Sequence, residues 1–123
     1  MNFTAGIYEF EGGDITVGTT WISGGRLVDR RLDNTGFGHG TITLNGGDFW
    51  RQIPPGTTTR TSNFTNDLVI ASAAELVGNR GNNHWHGRLE LKDTLSLNYL
   101  DTESTLHHHW FNGDLIINQD TNF

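Results

Sequence analysis

Asn66-Asp67-Leu68-Val69-Ile70 and, further on, Gly87-Arg88-Leu89-Glu90-Leu91 carry one pattern. A turn residue comes first, and polar and apolar positions then alternate. That alternation is the mark of a half-buried strand. Working outward, the phrase recurs as Gly40-Thr41-Ile42-Thr43-Leu44 and Gly13-Asp14-Ile15-Thr16-Val17 on one side and as Gly113-Asp114-Leu115-Ile116-Ile117 on the other. The five phrases therefore start at Gly13, Gly40, Asn66, Gly87 and Gly113. A strand that returns at a period in the twenties predicts a solenoid, in which each coil buries its apolar face on the next.

The third and fifth positions of every phrase are aliphatic, although only 34% of the chain is hydrophobic. Alternation turns them to one side. The expected buried columns are Ile15, Ile42, Leu68, Leu89, Leu115 and Val17, Leu44, Ile70, Leu91, Ile117. The outward column Asp14, Thr41, Asp67, Arg88, Asp114 puts Arg88 between two aspartates. An exposed ion pair there contributes at most about 1 kcal/mol. A second strand is expected after each phrase, at Thr20-Trp21-Ile22, Asp48-Phe49-Trp50, Glu75-Leu76-Val77 and Leu95-Ser96-Leu97. An aromatic precedes each phrase, at Phe10, Phe37, Phe64, Trp85 and Phe111. These rings are expected to stack inside the coils. Pro54-Pro55-Gly56 and the polar residues after it read as a loop on the solenoid wall.

At 123 residues the chain reads as one domain, 1–123. Sixteen glycines and few helix-forming residues favour an all-β fold. The net charge of −6, with no basic stripe, argues against nucleic acid as a partner. No apolar run is long enough for a membrane span. Without cysteine there is neither a disulfide nor a Cys-based metal site. Met1-Asn2-Phe3-Thr4 lacks the basic and apolar regions of a signal peptide. Little chain precedes the first phrase or follows the last. A solenoid needs caps, so the expectation is a fragment of a longer protein, or a chain that another chain caps.

Gly40-Thr41-Ile42-Thr43-Leu44-Asn45-Gly46-Gly47, Gly87 to Leu91 and Phe111-Asn112-Gly113-Asp114-Leu115-Ile116-Ile117-Asn118 resemble the degenerate coils of right-handed parallel β-helices. Autotransporter passengers and filamentous-haemagglutinin-type adhesins use similar wording. The resemblance implies a right-handed parallel β-helix of about five coils and a secreted or particle-borne, structural or adhesive role. It carries over no catalytic residue. A β-sandwich or jelly roll is the alternative fold, since many short strands between turns suit it too.

Candidate chemistry is sparse. His84-Trp85-His86 and His107-His108-His109-Trp110 are two histidine clusters. If their His-Trp pairs align, His84 and His109 are stacked neighbours, and two imidazoles there can share Zn²⁺ or Ni²⁺. The plainer reading is solvated turn residues beside a buried Trp. Trp21 and Trp50 fall at the same relative place in successive coils. Exposed rings at Trp21, Trp50, Trp85 or Trp110 would bind sugar, whereas buried ones are core. Asp29, Asp33, Asp48, Asp101 and Glu103 lie in variable segments without the spacing of a glycosidase pair, so a solvated surface is expected. Serine-nucleophile, phosphate-loop and dinucleotide patterns are missing.

The expectation is therefore a non-enzymatic structural or adhesive module of an extracellular, cell-surface or virion protein, without a cofactor. Its expected partners are another copy of itself, a neighbouring segment of a longer parent, or a glycan. The alternatives are a carbohydrate-binding β-sandwich and a glycan-recognising β-helix of the phage tailspike or lyase type.

Overall fold

The computed structural model describes residues 2–3, 6–10, 20–30, 40–52, 60–79, 81–99 and 109–118. Every regular element among them is a strand. In chain order these are β1 (Asn2–Phe3), β2 (Ile7–Phe10), β3 (Thr20–Ser23), β4 (Arg26–Asp29), β5 (Ile42–Asn45), β6 (Asp48–Gln52) and β7 (Arg60–Phe64). There follow β8 (Leu68–Ser72), β9 (Ala74–Asn79), β10 (Gly81–Trp85), β11 (Leu89–Leu91), β12 (Leu95–Tyr99), β13 (His109–Phe111) and β14 (Leu115–Ile117).

The strands form three parallel walls of a β-solenoid. The first wall runs β1-β3-β5-β8-β11-β14, the second β2-β4-β6-β9-β12, and the third β7-β10-β13. All pairings within the walls are parallel. This rules out the antiparallel sandwich. Three coils have all three walls among the described residues: β5–β6–β7, β8–β9–β10 and β11–β12–β13. Among the described residues the solenoid thus closes about three turns, against the five expected.

From β5 onward the first wall follows the repeated phrase. Ile42, Leu68, Leu89 and Leu115 share one register position, and Leu44, Ile70, Leu91 and Ile117 the next inward one. Six of these eight side chains are buried, while Leu115 and Ile117 at the last described strand are 56% and 39% exposed. The second wall adds Leu27, Phe49 and Leu76 to the core, and the third adds Phe64 and Trp85. Phe64 and Trp85 stack at 4.3 Å between centroids, and Phe49 meets both edge-on. Phe111 packs against this cluster. The expected aromatic stack thus holds for Phe64, Trp85 and Phe111. The Phe10 backbone lies on the second wall opposite Asp29, not on the third wall with these three, and its side chain lies outside the described residues. Phe37 lies outside the described residues.

The first coil differs from its expected register. Ile15 and Val17 lie outside the described residues, and the position against β5 is taken by β3, with Thr20 opposite Ile42 and Ile22 opposite Leu44. Thr20-Trp21-Ile22 is therefore a first-wall strand, and Arg26–Asp29 supplies the second wall. The physical reason is the corner between these walls. Gly24 and Gly46 adopt φ of +74° and +78°, a left-handed turn that glycine takes without strain. Ser23-Gly24-Gly25 therefore stacks on Asn45-Gly46-Gly47, and the pairs Arg26–Asp48 and Leu27–Phe49 follow. A smaller slip occurs at β12, where Leu97 rather than Ser96 pairs with Leu76.

The corner leading into the first wall is built on close approach. Asn66 donates from Nδ2 to the Gly40 carbonyl at 2.7 Å. A methyl group on Gly87 would overlap the Asn66 carbonyl, so only glycine lets these two coils meet.

Leu68→Ala should cost about 2–5 kcal/mol in a urea-unfolding measurement, as for other fully buried leucines. The same change at the exposed Leu115 should cost less than about 1 kcal/mol.

Candidate functional site

The third wall carries the densest polar chemistry, and alternation divides it between two faces. Inward, Ser62, Asn83 and His109 share one register position. Outward, Asn63, His84 and Trp110 share the next.

The inward residues face a polar column of the second wall. Asp29, Arg51, Gly78 and Tyr99 lie in register there. Asp29 and Arg51 are buried. Arg51 donates from Nε to Ser62 Oγ at 2.9 Å and from Nη1 to the Asp29 carbonyl at 3.0 Å, and the Asp29 carboxylate lies 3.8 Å from Nη1. Asp29 is thus an interior partner of arginine rather than a surface acid. Ionised groups this deep persist because each is paired and hydrogen-bonded. Asp33, Asp101 and Glu103 lie outside the described residues.

Further along this corner, the Tyr99 ring lies against Gly78, where a Cβ would overlap it. His109 packs on Tyr99 at 4.6 Å between centroids, and its Nε2–H donates to the Asn98 carbonyl at 3.2 Å. Burial pushes the Tyr99 phenol above its ordinary range, against a smaller opposite effect of the Asn83 backbone. Burial also holds His109 below its ordinary value, and the Asn98 carbonyl works the other way.

The outward face is an aromatic and amide surface. His84 lies nearly parallel to Trp110, at 5.9 Å and 10°, and to His86, at 5.9 Å and 14°. Asn112 Nδ2 donates to His84 Nδ1 at 3.2 Å, and His86 Nε2–H donates to Asn63 Oδ1 at 2.9 Å. Trp110 is 47% exposed.

The expected His84–His109 pair is therefore not formed. Register pairs His84 with Trp110 and His109 with Asn83, so the two imidazoles leave opposite faces of the wall. Aligning the two His-Trp pairs by sequence is the error: Trp85 pairs with Phe111, so the inward aromatic sets the register. Among the described residues no three His, Cys, Asp or Glu side chains converge as a metal site. Trp21 and Trp50 are likewise not equivalent, because Trp21 is opposite Thr43 on the first wall and Trp50 opposite Val28 on the second. The Trp21 side chain lies outside the described residues. The Trp50 ring carries the Arg26 guanidinium at 3.9 Å, and Asp48 holds Arg26 at 3.7 Å. Of the tryptophans weighed from sequence as exposed rings, Trp110 is exposed and Trp85 is buried. The one signal for the exposure of Trp110 is its alternation with His109 and Phe111.

On the first wall Thr41, Asp67, Val69, Arg88 and Glu90 line a shallow hollow of about 200 Å³. Asp67 accepts from the Arg88 backbone N–H at 2.8 Å. Glu90 accepts from Asn118 Nδ2 at 2.6 Å and lies 4.0 Å from Lys92. These carboxylates are engaged in holding adjacent coils together.

Comparison with known proteins finds no family model, no curated protein and no solved structure that matches this chain.

Removing one partner of the interior ion pair strands the other, so Arg51→Ala should cost about 3–5 kcal/mol. Arg26→Ala at the half-exposed pair should cost less than about 1 kcal/mol. Chemical unfolding of the two variants side by side checks the contrast. His109 adds a pH dependence. In the unfolded chain it takes a proton near pH 6.5, whereas the folded chain resists protonation. The unfolded state then binds more protons below that value, so stability is full above about pH 6.5 and falls as the solution is acidified. Urea titrations from pH 7.5 downward should show a shallower loss for His109→Gln than for the parent.

Proposed function

We propose that this chain is a non-enzymatic structural or adhesive β-solenoid module of an extracellular, cell-surface or virion protein, and that it associates by stacking one parallel coil on another. The observation that carries this reading is the condition of the last described coil. Leu97, Leu115 and Ile117 occupy the register positions that are buried elsewhere as Leu76, Leu89 and Leu91, yet they are 47%, 56% and 39% exposed. The edges of β12, β13 and β14 have no further strand beside them among the described residues. An unpaired edge above apolar side chains is a template for another strand. A further parallel coil completes both the backbone ladder and the two aliphatic columns.

The chemistry of the described residues supports a scaffold. The Asp29 carboxylate is committed to Arg51, Asp48 to Arg26 and Glu90 to Lys92 and Asn118. No helix among these residues is long and apolar enough to cross a membrane.

Sedimentation velocity across a wide concentration range tests the association. The parent should grow heavier with concentration, and Ile117→Lys, which places a charge on the exposed column, should reduce this markedly. A strictly monomeric parent, or assembly indifferent to Ile117→Lys, contradicts the stacking.

A further inference from the structure

We propose that the outer face of the third wall, centred on Trp110, His84 and His86, is a binding platform for neutral carbohydrate. This rests on the adhesive half of the proposed function and gives it a location and a ligand class.

Three observations carry it. The first is ring geometry. The His84 ring lies within 14° of parallel to both His86 and Trp110, at 5.9 Å from each, and Trp110 is 47% exposed. An exposed indole face takes the apolar C–H face of a pyranose as it takes another ring.

The second is the hydrogen-bonding inventory around the rings. Thr61, Asn63, Asn82, His84, His86 and Asn112 bring hydroxyl, amide and imidazole groups. No carboxylate or ammonium stands among these side chains. Adjacent donors and acceptors suit the hydroxyls of a sugar, which both donate and accept. The chain's net charge of −6 disfavours sulfated or uronate polymers by long-range repulsion.

The third is the hydrogen bonding of the two imidazoles. His84 Nδ1 already accepts from Asn112, which leaves Nε2 as an N–H donor. His86 donates from Nε2 to Asn63, which leaves Nδ1 as an acceptor. In these tautomers the pair offers one donor and one acceptor. One donor beside one acceptor fits neighbouring hydroxyls.

The test uses the full chain and a panel of immobilised neutral oligosaccharides of the glucan, mannan, xylan and chitin types, with heparin as a sulfated control. The parent should bind at least one neutral glycan and leave heparin unbound. Trp110→Ala should weaken that binding about tenfold, the scale of one stacked ring, while Trp110→Phe retains most of it. His86→Ala, at an exposed position, should weaken it several-fold with an unchanged melting temperature, and serves if Trp110→Ala does not fold. Ile117→Lys should bind glycan like the parent, so failure of coil stacking and failure of glycan binding remain separate results. A folded parent that binds no neutral glycan, or binding indifferent to both Trp110→Ala and His86→Ala, overturns the proposal. Zn²⁺ binding abolished by His84→Ala without any glycan binding overturns it equally.

Discussion

Ile42, Leu68 and Leu89 occupy one register position in three successive first-wall strands, and Leu44, Ile70 and Leu91 occupy the next inward one. Each side chain is covered by its counterpart one coil away, so no coil can bury its own aliphatic face alone. A slip of one residue in any of these strands would turn its two aliphatic side chains outward. Register in the first wall therefore fixes register everywhere else. The second wall can place Phe49 against Phe64 and Trp85 only if the chain leaves the first wall at the right residue.

The corners keep that register while coil length varies. Successive first-wall strands begin at Ile42, Leu68, Leu89 and Leu115, so the coil from Leu68 to Leu89 is shorter than the coils before and after it. Apart from one irregularity after Leu44, where Asn45 pairs with Ser72, the first wall keeps its register, and most of the extra residues fall between the second and third walls. The corners on either side of the first wall stay short, at Gly24 and Gly46 by a left-handed turn and at Gly87 by close backbone approach. One interior corner is held differently. There Asp29, Arg51 and Ser62 form a polar knot spanning two walls. Such a knot contributes little net stability against an apolar equivalent. It does penalise any register that leaves the guanidinium unpaired.

Much of this is legible in the sequence, and the failures share a cause. The first-wall phrase from Gly40 onward is readable because period-2 alternation and a recurring turn residue coincide in it. Extending the phrase back to Gly13 rests on likeness of wording alone, whereas the Gly-Gly pairs at 24–25 and 46–47 mark the true corner. Trp21 with Trp50, and His84 with His109, match by local resemblance, and register separates both pairs. The platform of Trp110, His84 and His86 is not legible. It arises from pairing His84 to Trp110, on strands a full coil apart, and no short-range pattern encodes that. The buried Asp29–Arg51 pair is hidden for the same reason, since its members lie on adjacent strands of successive coils.

Scaffold and platform thus depend on one claim, that strands separated by a full coil lie side by side, parallel and in register. The chain has no cysteine, which allows a direct test by oxidative cross-linking of paired substitutions on the outer first wall. Val69 pairs with Glu90, and Glu90 with Ile116. Neighbouring strands lie about 4.8 Å apart, within the reach of a disulfide. Val69→Cys with Glu90→Cys, and Glu90→Cys with Ile116→Cys, should each form an intramolecular disulfide rapidly in the folded state. Val69→Cys with Ile116→Cys, two strands apart, should not. Rapid closure of that last pair, or failure of the first two in a folded chain, would contradict the solenoid.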